Sequence, residues 1–77
     1  MNNYYFTFGS DERYPFQYGY VIIKANNIKE ACNKFKHNFP NRKGSNCLNC
    51  AFYYNENEFM EHWNTVWIKE KCHKIIE

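Results

Sequence analysis

Apolar and polar positions alternate in two stretches near the start of the chain and predict two β-strands. Residues 4–8, with the sequence YYFTF, place every second ring on one face of an extended segment. Residues 19–25, with the sequence GYVIIKA, show the same alternation with aliphatic side chains. A polar, turn-forming stretch at residues 10–18 separates them. We therefore expect an antiparallel hairpin with a long loop.

A helix is predicted directly after the second strand. Asn27 is followed three residues later by Glu30, a variant of the capping box that begins many helices. Pro40 then stops the helix. The apolar positions between them recur at helical spacing and comprise Ile28, Ala31, Cys32, Phe35 and Phe39.

A third strand is predicted at about residues 49–54, where the sequence NCAFYY follows a polar loop. The aromatic run is typical of a buried strand that closes the sheet. Period-two alternation places Cys50, Phe52 and Tyr54 on one face. Ala51 and Tyr53 then lie on the other face. We therefore expect Cys50 to be a core residue.

The C-terminal part of the chain predicts a second helix and a last short strand. Asn55 and Glu58 repeat the Asn-x-x-Glu capping pattern. The β-branched and aromatic residues 65–68 weaken the helical prediction, so two alternatives remain open for residues 65–71. Either the helix continues through them, or the chain becomes extended before a final strand at residues 72–76.

Together these elements predict a single α+β domain over residues 1–77. We expect a ββαβα(β) arrangement with a mainly antiparallel sheet and helices on one face. At 77 residues one small core is available, and aromatic residues, at 21% of the chain, supply its bulk. Some rings should remain on the surface, which favours a binding role. The net charge of +2 is too small for a dominant attraction to nucleic acid.

The sequence indicates a cytoplasmic protein. The N-terminus lacks the basic segment, apolar run and cleavage site of a secretory signal, and no apolar stretch has membrane-spanning length. In that compartment the four cysteines are more often free thiols or metal ligands than disulfides. No membrane partner is expected.

Cys47 and Cys50 form the one Cys-x-x-Cys pair of the chain and suggest a zinc site. A strong zinc signature needs a second, equally clear pair of ligands, which the sequence lacks, so we expect no cofactor. The remaining candidate ligands are Cys72 or His73, with Cys32 or His37 as the fourth. A thioredoxin-like role would need the attacking thiol at a helix N-terminus, whereas Cys50 leads into a strand. No spacing supports a Cys-His nucleophile, so we predict no enzymatic activity.

Several motifs of the chain occur together at family-like spacing. They are FTFGS at residues 6–10, YPFQxGY at 14–20, FPNR at 39–42, LNCAFxY at 48–54, and the pair Cys72-His73. In these motifs the sequence resembles a family of short uncharacterised proteins of phages and prophages of Gram-positive bacteria, over nearly the whole chain. The resemblance implies a phage-borne accessory protein. Small proteins of that kind often antagonise host defence, as anti-CRISPR inhibitors or as sponges for nucleotide signals.

The loop after the first strand is the predicted contact surface for a host protein, such as a defence effector. Tyr and Arg side chains supply large contact areas with polar ends, and the hairpin beneath positions the loop. The alternative is that the rings fold back and cover the core. The predicted contact residues are Asp11, Glu12, Arg13, Tyr14, Phe16 and Tyr18, with Arg42 and Lys43 as secondary contacts.

Other ligands remain as alternatives. In a nucleotide binder, the amides of Gly9 and Ser10 with Arg13 would hold phosphate while a Tyr stacks on the base. A nucleic-acid contact would use phosphate-binding residues together with stacking rings. Those residues are Lys34, Lys36, His37, Arg42 and Lys43, with Tyr14, Tyr18 or Tyr53 stacking. The absence of a known nucleic-acid-binding signature argues against it. A symmetric homodimer fits so small and aromatic a domain.

Overall fold

The two predicted N-terminal strands form the centre of a four-stranded sheet. In the computed structural model of the protein, residues 1–63 and 72–77 are described, with the backbone alone for residues 62 and 63. The elements, in chain order, are β1 (Asn2–Thr7), β2 (Tyr20–Ala25), α1 (Ile28–Asn38), β3 (Phe52–Asn55), α2 (Glu56–Trp63) and β4 (Cys72–Ile76).

The strands lie in the order β3-β1-β2-β4. β1 pairs with β2 in an antiparallel register that runs from Asn2 opposite Ala25 to Thr7 opposite Tyr20. β3 is antiparallel to β1, whereas β4 is parallel to β2. The predicted α+β class, the long-looped hairpin, the order of elements and the mainly antiparallel sheet are therefore confirmed.

The main core lies between one face of the sheet and α1. Phe6 stacks on Phe35 of α1 with ring centroids 4.5 Å apart. Full burial of such a ring contributes about 1.5–3 kcal/mol to stability. The buried residues of this cluster are Tyr4, Phe6, Phe8, Val21, Ile23, Ala25, Ala31, Phe35 and Cys50. They include the side chains that alternation in β1 and β2 placed on one face.

α1 begins and ends where the sequence predicts. The Asn27 side chain accepts a hydrogen bond from the Glu30 amide at 2.8 Å. The Glu30 carboxylate accepts from the amide of Asn26, at 3.4 Å, rather than from that of Asn27. At the other end, the Phe39 amide donates to the Phe35 carbonyl at 2.7 Å, just before Pro40.

α2 packs on the opposite face of the sheet from α1. Its Phe59 stacks on Tyr5 at a centroid distance of 4.0 Å and lies 4.9 Å from Tyr20. Tyr5 alternates with Phe6 along β1, so the two rings point to opposite faces. The expectation that the helices share one face is therefore wrong for α2. Both faces of the central strands are apolar, and each needs a cover.

The ends of the C-terminal elements also follow their sequence signals. Asn55 accepts from the Glu58 amide at 2.8 Å, and the Glu58 carboxylate accepts from the Asn55 amide at 3.1 Å, so the predicted capping box is confirmed. The strand predicted at residues 72–76 is confirmed as β4. The alternatives for residues 65–71 lie outside the described residues. No helix in residues 1–63 or 72–77 is long and apolar enough to cross a membrane.

β3 is shorter and more exposed than predicted. It begins at Phe52, which is 65% exposed at the edge of the sheet, so the prediction of a buried strand from residue 49 is wrong. The Ala51 amide donates to the Thr7 carbonyl at 2.8 Å although Phe52 is the register partner of Thr7, as in a β-bulge. The extra residue inverts the alternation. Cys50 is confirmed as a core residue, but it does not share a face with Phe52 and Tyr54.

Candidate recognition surface

The loop of residues 8–19 is closed at its base by backbone hydrogen bonds. The Phe8 amide donates to the Gly19 carbonyl at 3.2 Å, and the Tyr18 amide donates to the Gly9 carbonyl at 2.7 Å. Tyr18 has a φ of 60°, in the left-handed region that non-glycine residues rarely adopt. Such a residue costs about 1–3 kcal/mol and persists only where its surroundings hold it. The loop is therefore constrained at Tyr18.

His73 of β4 fixes the other side of Tyr18. Its Nε2 is hydrogen-bonded to the Tyr18 carbonyl oxygen. A carbonyl oxygen only accepts, so Nε2 carries the proton and donates. The His73 ring also stacks on Phe16, with centroids 4.5 Å apart and planes 1° apart. β4 thus holds a loop that lies 55 residues earlier in the chain.

Two of the predicted contact rings turn inward. Phe16 packs edge-on against Phe8 at 5.6 Å and against Phe39 at 5.9 Å, and Tyr14 lies 6.4 Å from Phe8. Both rings are partly buried against the main core. The alternative in which rings cover the core describes Tyr14 and Phe16, whose role is to position the loop.

The structure brings Arg42 to this loop. Its guanidinium carbon lies 4.9 Å from the centroid of the Tyr14 ring, a cation–π contact worth about 0.5–1 kcal/mol at an exposed site. Lys43 follows in an exposed turn, in which the Ser45 amide donates to the Arg42 carbonyl at 2.9 Å. Of the two secondary contacts predicted from sequence, Arg42 therefore borders the same surface.

The outer side of the loop presents Glu12, Arg13 and Tyr18. Tyr18 is 54% exposed, and the Arg13 side chain is 73% exposed. Asp11 forms an ion pair with Arg13 at 2.8 Å and accepts from the Arg13 amide at 2.9 Å. The side-chain hydrogen bond from Arg13 lowers the pKa of Asp11 to about 2. Asp11 therefore orients the exposed guanidinium.

The candidate metal ligands lie in different surroundings. Cys50 is buried, and this burial, with a smaller effect of the Cys32 thiol, raises the pKa of Cys50 to about 12. Cys47 is exposed. Cys72 lies opposite Tyr20 on the α2 face. Within residues 1–63 and 72–77, no three His, Cys, Asp or Glu side chains are grouped so that they could hold a metal ion.

The basic residues proposed for nucleic acid are also divided. Lys34 donates to the Lys24 carbonyl at 2.7 Å and pairs with Glu30 at 3.5 Å, so its ammonium group serves the fold. Lys36 is exposed on α1, as is its neighbour at position 37. Arg42 lies instead over Tyr14. The set does not form one continuous phosphate-binding surface.

The nucleotide alternative gains little from the geometry of the loop. The carboxylate of Asp11 lies 2.8 Å from Arg13, the proposed phosphate ligand, and its negative charge would repel a phosphate group bound there. Two described clefts, of 490 and 480 Å³, instead flank Tyr53 on β3. The first is bordered by Tyr4 and Ile28, and the second by Leu48 and its neighbours.

The contribution of His73 to the loop was not found from sequence, where His73 was considered as a metal ligand, as a partner of a nucleophilic cysteine and as part of a family motif. Alternation along an extended tail separates it from Cys72, but its contact with Phe16 depends on β4 pairing with β2. No protein-family model, curated protein or solved structure matches the chain.

Proposed function

We propose that this protein is a non-enzymatic binding protein that contacts a host protein through the outer surface of the loop at residues 8–19. The main observation in its favour is that the amide and the carbonyl of Tyr18 are both hydrogen-bonded, while the residue is 54% exposed. A fixed backbone with an exposed ring is what a preformed contact site requires.

Preorganisation supports this proposal energetically. Binding through a flexible loop loses about 0.5–1.5 kcal/mol for each side chain that becomes ordered. Here the hydrogen bonds at Tyr18 and the inward packing of Phe16 order the loop before any partner arrives. The strained φ of Tyr18 also fits a functional site, where such conformations cluster.

The proposed contact set is narrower than the one predicted from sequence. Tyr18 and Arg13 are the central contacts, because Tyr and Arg are enriched among residues that dominate binding energies. Glu12 lies beside them, with Arg42 and Lys43 at the rim, where charges chiefly affect the association rate. Asp11, Tyr14 and Phe16 act indirectly by positioning these side chains.

The resemblance to small phage proteins supports an inhibitor as the kind of binding protein. Such a protein would act by occupying a surface of a host protein, for example a defence effector, and a small rigid surface is sufficient for that. The host partner would be found among bacterial proteins.

Site-specific photo-crosslinking tests this proposal. A photoreactive phenylalanine analogue is placed at position 18, and in a control protein at position 29, where Lys29 is exposed on α1. Both proteins are irradiated in a lysate of a Gram-positive host, and the adducts are identified by mass spectrometry. We expect a specific adduct from position 18 only.

The purified partner then permits a quantitative comparison. Tyr18→Ala and Arg13→Ala should each weaken binding by about 10- to 30-fold, equivalent to about 1.4–2 kcal/mol. Lys29→Ala should leave the affinity unchanged. Equal affinities for all three variants, or equal crosslinking from both positions, would contradict the proposal. A nucleotide released from the native protein, seen by mass spectrometry, would favour the nucleotide-binding alternative.

A further inference from the structure

Along β3, successive residues direct their backbone N–H and C=O groups alternately toward β1 and away from the sheet, and the pairing of β1 shows which residues do which. The Phe8 amide donates to the Gly19 carbonyl, so every second residue of β1, counted back from Phe8, is hydrogen-bonded to β2. The residues between them, Thr7 and Tyr5, direct their backbone groups toward β3. The hydrogen bond from Ala51 to Thr7 agrees with this. Tyr54, opposite Tyr5, therefore directs its backbone groups to β1.

Tyr53 consequently directs its amide and its carbonyl away from the sheet. Asn55 has the same orientation, but its amide donates to the Glu58 carboxylate at 3.1 Å. Of the residues of β3, Tyr53 thus offers both an outward donor and an outward acceptor. A single residue of this kind is its own complement across a two-fold axis.

The side chains around Tyr53 are exposed and apolar on both faces of the edge. Phe52 is 65% exposed and lies 6.4 Å from the Tyr54 ring on the α2 face. Tyr53 is 48% exposed on the α1 face, where it stacks on Phe6 at 5.6 Å. β3 carries none of the lysines or prolines that usually protect an edge strand.

We propose that β3 is a self-association site at which the edge strands of two copies pair antiparallel about a two-fold axis at Tyr53. The amide of Tyr53 in each copy donates to the carbonyl of Tyr53 in the other. In that register Phe52 of each copy lies opposite Tyr54 of the other, which places four rings on one face. The two Tyr53 rings meet on the opposite face.

The acidic residues that follow β3 favour the antiparallel arrangement. α2 begins directly after β3 and carries Glu56 and Glu58 in its first turn. Antiparallel pairing about Tyr53 places these carboxylates of the two copies at opposite ends of the paired edge, whereas parallel pairing would place them side by side.

The exposed rings also limit the strength of the association. With about 150–250 Å² per aromatic side chain, the exposed parts of Phe52 and Tyr53 in two copies total roughly 500 Å². Stable interfaces bury about 1,200–2,000 Å² in all, so we expect a weak dimer, with a Kd on the order of 10–100 µM.

Sedimentation equilibrium of the full chain between about 5 and 500 µM tests self-association. We expect the weight-average mass to rise from that of a monomer toward that of a dimer. Phe52→Lys should leave the protein monomeric throughout, because it places a charge among the paired rings. Met60→Lys, at a position 52% exposed on α2, is the control and should behave as the unaltered chain.

Hydrogen exchange identifies the surface independently. The Tyr53 amide should exchange at least several-fold more slowly at about 500 µM than at about 5 µM, and this difference should disappear in Phe52→Lys. If the protein remains a monomer at all concentrations, the proposal is wrong. The same result is expected if the edge of β3 binds a different partner. A dimer that persists in Phe52→Lys, or that leaves the Tyr53 amide unprotected, also overturns it.

Discussion

Replacement of Phe16 by alanine removes the ring that joins the loop, the core and β4. Phe16 is partly buried and contacts Phe8, Phe39 and His73 at centroid distances of 5.6, 5.9 and 4.5 Å. Half of the burial free energy of a Phe is about 0.8–1.5 kcal/mol, and the ring contacts add about 1 kcal/mol. We expect a loss of about 2–2.5 kcal/mol in the free energy of unfolding.

That loss is large for a chain of this size. At about 0.05–0.15 kcal/mol per residue, the protein has roughly 4–12 kcal/mol of stability, so Phe16→Ala should remain folded in most of this range. The midpoint of thermal unfolding should fall by about 10–20 °C. Urea unfolding followed by circular dichroism measures the free energy directly.

Two comparisons make this prediction specific to the loop. Phe52→Ala is the same chemical change at a side chain that is 65% exposed, and it should alter stability by no more than about 0.5 kcal/mol. Hydrogen exchange of the Tyr18 amide should accelerate in Phe16→Ala, because the ring no longer supports the loop. Equal urea midpoints for the two variants, or an unchanged Tyr18 exchange rate, would refute the reasoning.

Three further predictions concern local features. Asn27→Ala removes the N-terminal cap of α1 and should lower the free energy of unfolding by about 1 kcal/mol, which urea unfolding would detect and an unchanged midpoint would contradict. At about pH 8, alkylation of the native protein should label the exposed Cys47 well before Cys50, because the pKa of about 12 leaves almost no Cys50 thiolate. Mass spectrometry of the peptides gives the order of labelling. Simultaneous labelling of the two cysteines would contradict this prediction. The Asp11 carboxyl should titrate at about 2 in an NMR pH series and return toward 3.8 in Arg13→Ala. Since the pKa of Asp11 is lowered on folding, its contribution to stability is present above pH 3.8 and is lost as the pH falls toward 2; an unchanged titration in the variant would exclude the ion pair as the cause.

The elements with strong local signals were predictable from sequence. The Asn-x-x-Glu caps specify both helix starts through hydrogen bonds between neighbouring residues, and Asn27 and Asn55 make them. Alternation in β1 and β2 also identified the side chains that form the core on the α1 face. These features depend on residues that are only a few positions apart, so the sequence alone is enough to identify them.

Features that depend on strand pairing were not predictable. The bulge opposite Thr7 arises from the pairing of β3 with β1, and it moves the start of β3 to Phe52. Tyr5 and Phe6 both carry large aromatic rings and both are buried, so the pattern of β1 does not indicate which face receives α2. In the loop, no local signal separates the inward ring of Phe16 from the outward ring of Tyr18, because the distinction depends on a left-handed residue and on His73.

The position of β4 has a consequence for protein synthesis. β1 and β2 are synthesised before β4, so the contacts that His73 makes with Phe16 and Tyr18 become available only once β4 has left the ribosome. The loop therefore acquires its final form only after β4 has emerged. A nascent chain, or a product truncated before residue 72, would carry the loop sequence without the contacts that order it. Any segment fused next to β4 should for this reason be separated from it by a spacer, since β4 supports a surface that lies 55 residues earlier in the chain.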